Sequence, residues 1–218
     1  MSVVLTTLRA ALFTSILSLL IGITNVSGTP LFVAFLAALF ALRMLEVYVA
    51  GAPTQIVGGD LKSDDQSRIT TWIIGTCFLT NMVTPILQYR YTMPSPGVAW
   101  WNWIGLLVMM AGSALRIWSM RVAGESFKEQ VTVATKQRLA TTGPYAWVRH
   151  PAYLGLIISY LGVTMIFSSS LGLAALLIIV VPTIILRIFK EEKILSTHFG
   201  EDWRRYTAQA GSMLFPGL

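Results

Sequence analysis

The chain has only two histidines, His150 and His198, and each stands in a segment crowded with groups that bind or react. The first segment reads Thr142-Gly-Pro-Tyr-Ala-Trp-Val-Arg-His-Pro-Ala-Tyr-Leu-Gly155, and the second runs from Arg187 through Glu191, Glu192 and His198 to Trp203, Arg205 and Tyr206. Pro151 suits the first position of a helix, which places Arg149 and His150 at a helix N-terminus. Free backbone N–H groups there add to the arginine charge and make a site for an anion. Arg187 and Glu191 are four residues apart, on one helical face, with Glu192 on the adjacent face. Neither histidine has a partner at metal-ligand spacing: there is no HxxxH and no nearby cysteine, so no metal is expected.

The elements that position these groups follow from composition. Of 218 residues, 55% are apolar and only 12% charged, with a mean hydropathy of +0.67. A soluble fold of this size has too few charges to cover its surface, which excludes a cytosolic globular enzyme, a disordered chain and a disulfide-stapled module. The single Cys77 lies in an apolar run and reads as a buried thiol. The chain is expected to be an all-α integral membrane protein. A bilayer core about 30 Å thick needs roughly 20 apolar residues per helix. Spans are expected near 4–24, 30–50, 69–89 and 98–122. The first is read as a membrane anchor rather than a cleaved leader. Pro151 to Leu186 is uncharged and broken at Ser168-Ser169-Ser170, so it reads as a tight helical hairpin that borrows the basic turn after it. That makes about six transmembrane helices: an N-terminal four-helix region over 1–122, and a functional region over 123–218 that contains a loop, the hairpin and an amphipathic tail.

Six spans put both termini on one side. Of the 16 Lys and Arg, 13 collect on that face: Arg9, Lys62, Arg68, Arg121, Lys128, Lys136, Arg138, Arg149, Arg187, Lys190, Lys193, Arg204 and Arg205. Positive loops stay cytoplasmic, so this face is inside, and Trp100, Trp101 and Trp103 form an aromatic belt at the outer end. The basic charge therefore reads as topology, and no nucleic-acid partner is expected. The 51–68 loop reads as a solvated connection. Ile188, Leu195, Phe199, Trp203 and Tyr206 form an apolar stripe that lays the tail against the membrane and over the Arg149–His150 site.

Within the spans, Arg43 and Glu46 share a face and can pair near the inner end, and Arg116 lies within reach of the same interface. Gly105 and Gly112, then Gly155, Ser159 and Gly162, recur at helical spacing, where small residues let helices approach closely.

The ordered pattern Gly143-Pro-Tyr-x-x-x-Arg-His-Pro-x-Tyr-x-Gly155, then Gly162, Glu191-Glu-x-x-Leu195, Phe199-Gly and Tyr206, resembles the isoprenylcysteine carboxyl methyltransferases. More loosely, it resembles the wider membrane methyltransferases that include the phospholipid N-methyltransferases. The likeness spans roughly residues 120–216. It implies S-adenosyl-L-methionine bound at the cytoplasmic end of the last helices, with S-adenosyl-L-homocysteine as product. A lipophilic small molecule or a lipidated substrate would enter from the bilayer lipids. The implied cofactor-binding residues are Gln130, Tyr145, Arg149, His150, Pro151, Tyr153, Gly155, Glu191, Glu192 and His198. Glu192, Arg205 and Tyr206 are the implied catalytic residues. None of the 17 glycines is two residues from another, so the chain lacks the GxG turn of a soluble dinucleotide-type fold. One position departs from the pattern: Gln209 stands where many family members carry a basic residue.

The reaction implied is methyl transfer to the carboxylate of a prenylcysteine-like acceptor. Transfer to a phospholipid or another lipophilic amine or thiol is the second reading, and a transporter or scaffold without enzymatic activity the third. The ionisable residues gather at one interface rather than at mid-membrane, which argues against transport.

Overall fold

A computed structural model describes residues 30–50, 82–89, 91, 98–124, 139–210 and 212–214, which are mostly helical with no strand among them. The elements are α1 (Pro30–Ala50), a helical run over 82–89, α2 (Trp100–Ala123), a 3₁₀ turn (Gly143–Ala146) and α3 (Pro151–Ile166). They continue as α4 (Ser170–Ala175), a π-helical turn (Leu176–Val180), α5 (Val181–Phe199) and α6 (Glu201–Gln209).

α1 and α2 fall where spans are expected near 30–50 and 98–122. The expected span near 4–24, most of that near 69–89, the 51–68 loop and Cys77 lie outside the described residues, so a count of six is not established. Among the described residues, two helices are long and apolar enough to cross a membrane, Trp100–Ala123 and the continuous Ser170–Phe199. α3 is apolar but has only 16 residues, about 24 Å of helix. The Ser170–Phe199 helix has 30 residues, about 45 Å, and so carries its last turns beyond an apolar layer about 30 Å thick. Those turns hold Glu191 and Glu192, which explains why a membrane helix delivers charged groups to a polar surface.

The expected hairpin is present, turning at residues 167–169 between α3 and α4. Ser169 caps α4, its hydroxyl accepting the Gly172 N–H at 2.8 Å. Two side chains from other helices hold the turn. Asn102 Nδ2 donates to the Met165 and Ile166 carbonyls at 3.1 and 3.0 Å, and Gln88 Oε1 accepts from the Ser169 hydroxyl at 2.6 Å. The π-helical turn lies just before Pro182, whose ring would clash with the Ile178 carbonyl in a regular helix.

The largest helix–helix contact joins α2 to α3, and it rests on the expected small residues. A Cβ on Gly112 would come within 2.4 Å of the Ser159 backbone nitrogen, and one on Gly162 within 2.3 Å of the Met109 nitrogen. Gly105 and Gly155 meet equally close backbone atoms across the same seam. A core of Phe32, Phe35, Tyr89 and Phe167 rings closes the hairpin end of the bundle. Trp100, Trp101 and Trp103 are exposed on the outside of α2, as an interfacial belt requires.

Candidate functional site

The site begins at the N-terminus of α3. His150 is the cap residue and Pro151 opens the helix. The approach to the cap is tied down by the tail: Arg149 N–H donates to the Ser212 carbonyl at 3.2 Å, and His150 N–H to the Met213 carbonyl at 3.0 Å. Two consecutive backbone bonds thus strap residues 212–213 across the entry to α3.

α5 returns along the hairpin and places Glu192 opposite. One carboxylate oxygen, Oε1, lies 3.3 Å from His150 Nε2 and 3.2 Å from Arg149 Nε. His150 is buried and the other two side chains are each 16% exposed. Arg149 Nε is close enough for an ion pair, yet its N–H is not aligned on any acceptor and its atom is buried. The pair therefore neutralises charge while leaving one donor unsatisfied.

One turn along α3, the Tyr153 hydroxyl donates to Glu191 Oε2 at 2.9 Å and accepts from Arg187 Nε at 2.6 Å. Arg187 was not among the expected site residues. Its spacing of four from Glu191 was visible, but that Tyr153 would bridge the two was not. The Tyr206 hydroxyl donates to the Tyr145 carbonyl at 2.9 Å, joining α6 to the 3₁₀ turn. Trp203, Tyr206 and Ala210 pack with Leu139, Leu195 and Phe199, so four of the five stripe residues share one apolar cluster, while Ile188 belongs to the main core.

Two phenols here hold their protons strongly. Burial raises the Tyr145 pKa well above the ordinary 10, with Glu191 and Tyr206 adding and Arg116 opposing. Tyr206 is pushed up to about 12, chiefly by burial, with Glu192 adding and the Arg149 guanidinium opposing. The electrostatic reach of Arg116 to Tyr145 connects the site with a charged group between the helices. There Glu46 bridges Arg43 at 2.7 Å and Arg116 at 3.2 Å, and Arg116 Nη1 donates to the Ala152 carbonyl at 3.3 Å. The expected Arg43–Glu46 pair is present and extends to a second arginine.

Tertiary packing thus gathers Tyr145, Arg149, His150, Pro151, Tyr153, Glu191, Glu192 and Tyr206 at one end of the bundle. Gly155, one turn into α3, lies in the α2–α3 seam where the small-residue spacing also puts it. It faces the Gly112 carbonyl and the Arg116 backbone, so its lack of a side chain serves helix packing. His198 is exposed and meets the Phe199 ring edge-on, with centroids 4.7 Å apart. Arg205 is exposed on α6, and Gln130 lies outside the described residues.

The segment that carries this arrangement has known relatives. Residues 103–197 match the isoprenylcysteine carboxyl methyltransferase (ICMT) family. The resemblance read from the sequence holds over that stretch, which includes α3, the hairpin and both glutamates. The chain is 32% identical over 117 residues to the protein-S-isoprenylcysteine O-methyltransferase of Tribolium castaneum, a match covering 53% of this chain and 42% of that protein. It is 31% identical over 112 residues to the enzyme of the same name in Saccharomyces cerevisiae, covering 50% and 46%. To protein-S-isoprenylcysteine O-methyltransferase B of Arabidopsis thaliana it is 26% identical over 150 residues, covering 66% and 76%. The chain thus spans less than half the length of the Tribolium and Saccharomyces relatives. A solved structure of the eukaryotic intramembrane Ras methyltransferase ICMT superposes with a TM-score of 0.57 at 22% identity, over 93% of this chain and 74% of that one. The ICMT structure and this chain share a fold.

Proposed function

We propose that this chain is an S-adenosylmethionine-dependent methyltransferase of the membrane, esterifying the carboxylate of a prenylcysteine-like acceptor. The observation that carries the reading is the convergence of Arg149 and His150 on Glu192, inside the stretch that matches the ICMT family. The residues present suit the methyl donor. Arg149 offers a buried N–H without an aligned acceptor, at a helix N-terminus that favours an anion, which fits the methionyl carboxylate. Glu191 and Glu192 suit its ammonium or ribose hydroxyls, and the Tyr145 and Tyr153 rings suit adenine or the sulfonium through stacking and cation–π contact.

The bound donor supplies a methyl group on a positively charged sulfur. The chain itself contributes position: in-line displacement depends on aligning acceptor and methyl, and holding both is worth several orders of magnitude in rate. A carboxylate acceptor carries no proton to remove, so the reaction needs no general base, and the His150–Glu192 contact is read as part of the donor site. Trp203, Tyr206 and Ala210 of the tail pack on Leu195 and Phe199 of α5, which supports reading α6 as a cover that would limit water at the donor end. The site is read as cytoplasmic because the basic residues gather on its face of a multi-pass chain, and a lipidated acceptor would reach it from the bilayer.

Membranes incubated with methyl-labelled donor and a farnesylcysteine analogue test the reading. Label released by base as methanol is the expected result. Label in a phospholipid headgroup would assign the amine-methylating reading instead. Gln209, exposed on α6, stands where the resemblance implies a basic residue in many family members, and that departure favours the alternative.

A further inference from the structure

Among the described residues, two buried side-chain polar atoms lack any hydrogen-bond partner: Arg149 Nε and Ser212 Oγ. They belong to residues already joined by a backbone bond, Arg149 N–H to the Ser212 carbonyl at 3.2 Å. Buried polar groups are satisfied in more than about nine cases in ten, so two orphans on adjoining residues call for a shared cause. Each is a donor. One is cationic, and both flank the N-terminus of α3, whose dipole favours negative charge. An anion with two oxygens would satisfy both at once, and a carboxylate has that shape.

We infer that the Ser212 hydroxyl is a binding residue for the carboxylate of the methyl donor, completing with Arg149 a two-donor clamp half of which comes from the C-terminal tail. This rests on the methyltransferase reading and deepens it. The tail then does more than cover the site. Residues 212–213 are held in register by the bonds to Arg149 and His150, and this register fixes where the Ser212 hydroxyl stands. Glu192 Oε1 stands 3.2 Å from the same Nε and holds Arg149 by charge without forming a hydrogen bond to that nitrogen.

Calorimetry on the purified full chain in detergent tests this with two nucleosides. S-adenosylhomocysteine carries the carboxylate, and methylthioadenosine has the same adenosine and thioether without the amino-acid end. Ser212→Ala is expected to weaken S-adenosylhomocysteine roughly tenfold or more, as loss of a hydrogen bond to a charged group does, and to leave methylthioadenosine unchanged. Ser212→Thr keeps the hydroxyl and is expected to keep the affinity. The thermal midpoint of apo Ser212→Ala should match or exceed that of the wild type, because the change removes an unsatisfied buried group. Equal weakening of both nucleosides, or of neither, overturns the clamp while leaving the methyltransferase reading in place. A wild-type chain that binds neither nucleoside overturns both.

Discussion

Glu46 of α1 divides its carboxylate between two arginines, reaching Arg43 in its own helix and Arg116 in α2 at 3.2 Å. All three side chains are at most 20% exposed. α1 lies outside the segment that matches the ICMT family, yet through Arg116 it is linked to the Ala152 carbonyl in the first turn of α3. Removing one member of a buried ion group leaves the others uncompensated, which costs about 3–5 kcal/mol. Glu46→Ala should therefore lower the thermal midpoint in detergent markedly. Combining it with Arg116→Met should recover part of the loss, because the stranded guanidinium is then gone. A double variant no better than the single one would contradict the coupling.

The α2–α3 seam makes a second prediction. A methyl group on Gly162 would lie 2.3 Å from a backbone nitrogen of Met109, so neither helix can yield by rotating a side chain. Gly162→Ala should destabilise the protein by about 1–3 kcal/mol, in line with overpacking elsewhere. Leu161→Ala next to it, on the exposed side of α3, should cost less. Thermal unfolding followed by circular dichroism separates the two.

The polar cluster predicts donor affinity. Glu192 touches both Arg149 and His150 through one oxygen, so it orients the pair. His150→Ala and Glu192→Gln should each weaken S-adenosylhomocysteine by roughly ten- to a hundredfold, the range for bonds to charged groups. Unchanged calorimetric affinity in both variants would place the donor elsewhere.

Alkaline pH should act through Tyr206. Its pKa stands at about 12 in the fold, against the ordinary 10 expected in the unfolded chain. Between those values the native state holds a proton that the unfolded state has lost. The stability this gives is complete below pH 10 and is lost as pH rises toward 12. Tyr206→Phe should flatten the fall in unfolding midpoint over that interval. At neutral pH it should cost about 1 kcal/mol, through loss of the bond to the Tyr145 carbonyl.

Much of this was determined by sequence alone. The 12% charge content and the long uncharged runs point to helices in an apolar medium, because a continuous apolar run of about 20 residues fits a spanning helix and not the short alternating strands of a barrel. Ser168-Ser169-Ser170 marked the hairpin turn, since short hydroxyl side chains compete for backbone bonds at helix starts. The glycine spacing marked the α2–α3 seam. The order of Arg149, His150, Pro151 and the paired glutamates pointed to a family because it is local, and local order survives without knowledge of packing. What the sequence could not decide was long-range pairing. That Asn102 and Gln88 would hold the hairpin turn, that Glu46 would reach Arg116, and that Tyr153 would bridge Glu191 and Arg187 all depend on helix rotation and register. Those are set by close packing between helices far apart in the chain. His198 shows the same limit from the other side: it stands in the crowded second segment, but the rotation of α5 leaves it exposed. Ser212 is the extreme case: nothing in its neighbourhood marks it, and only the strap across Arg149 gives it a place.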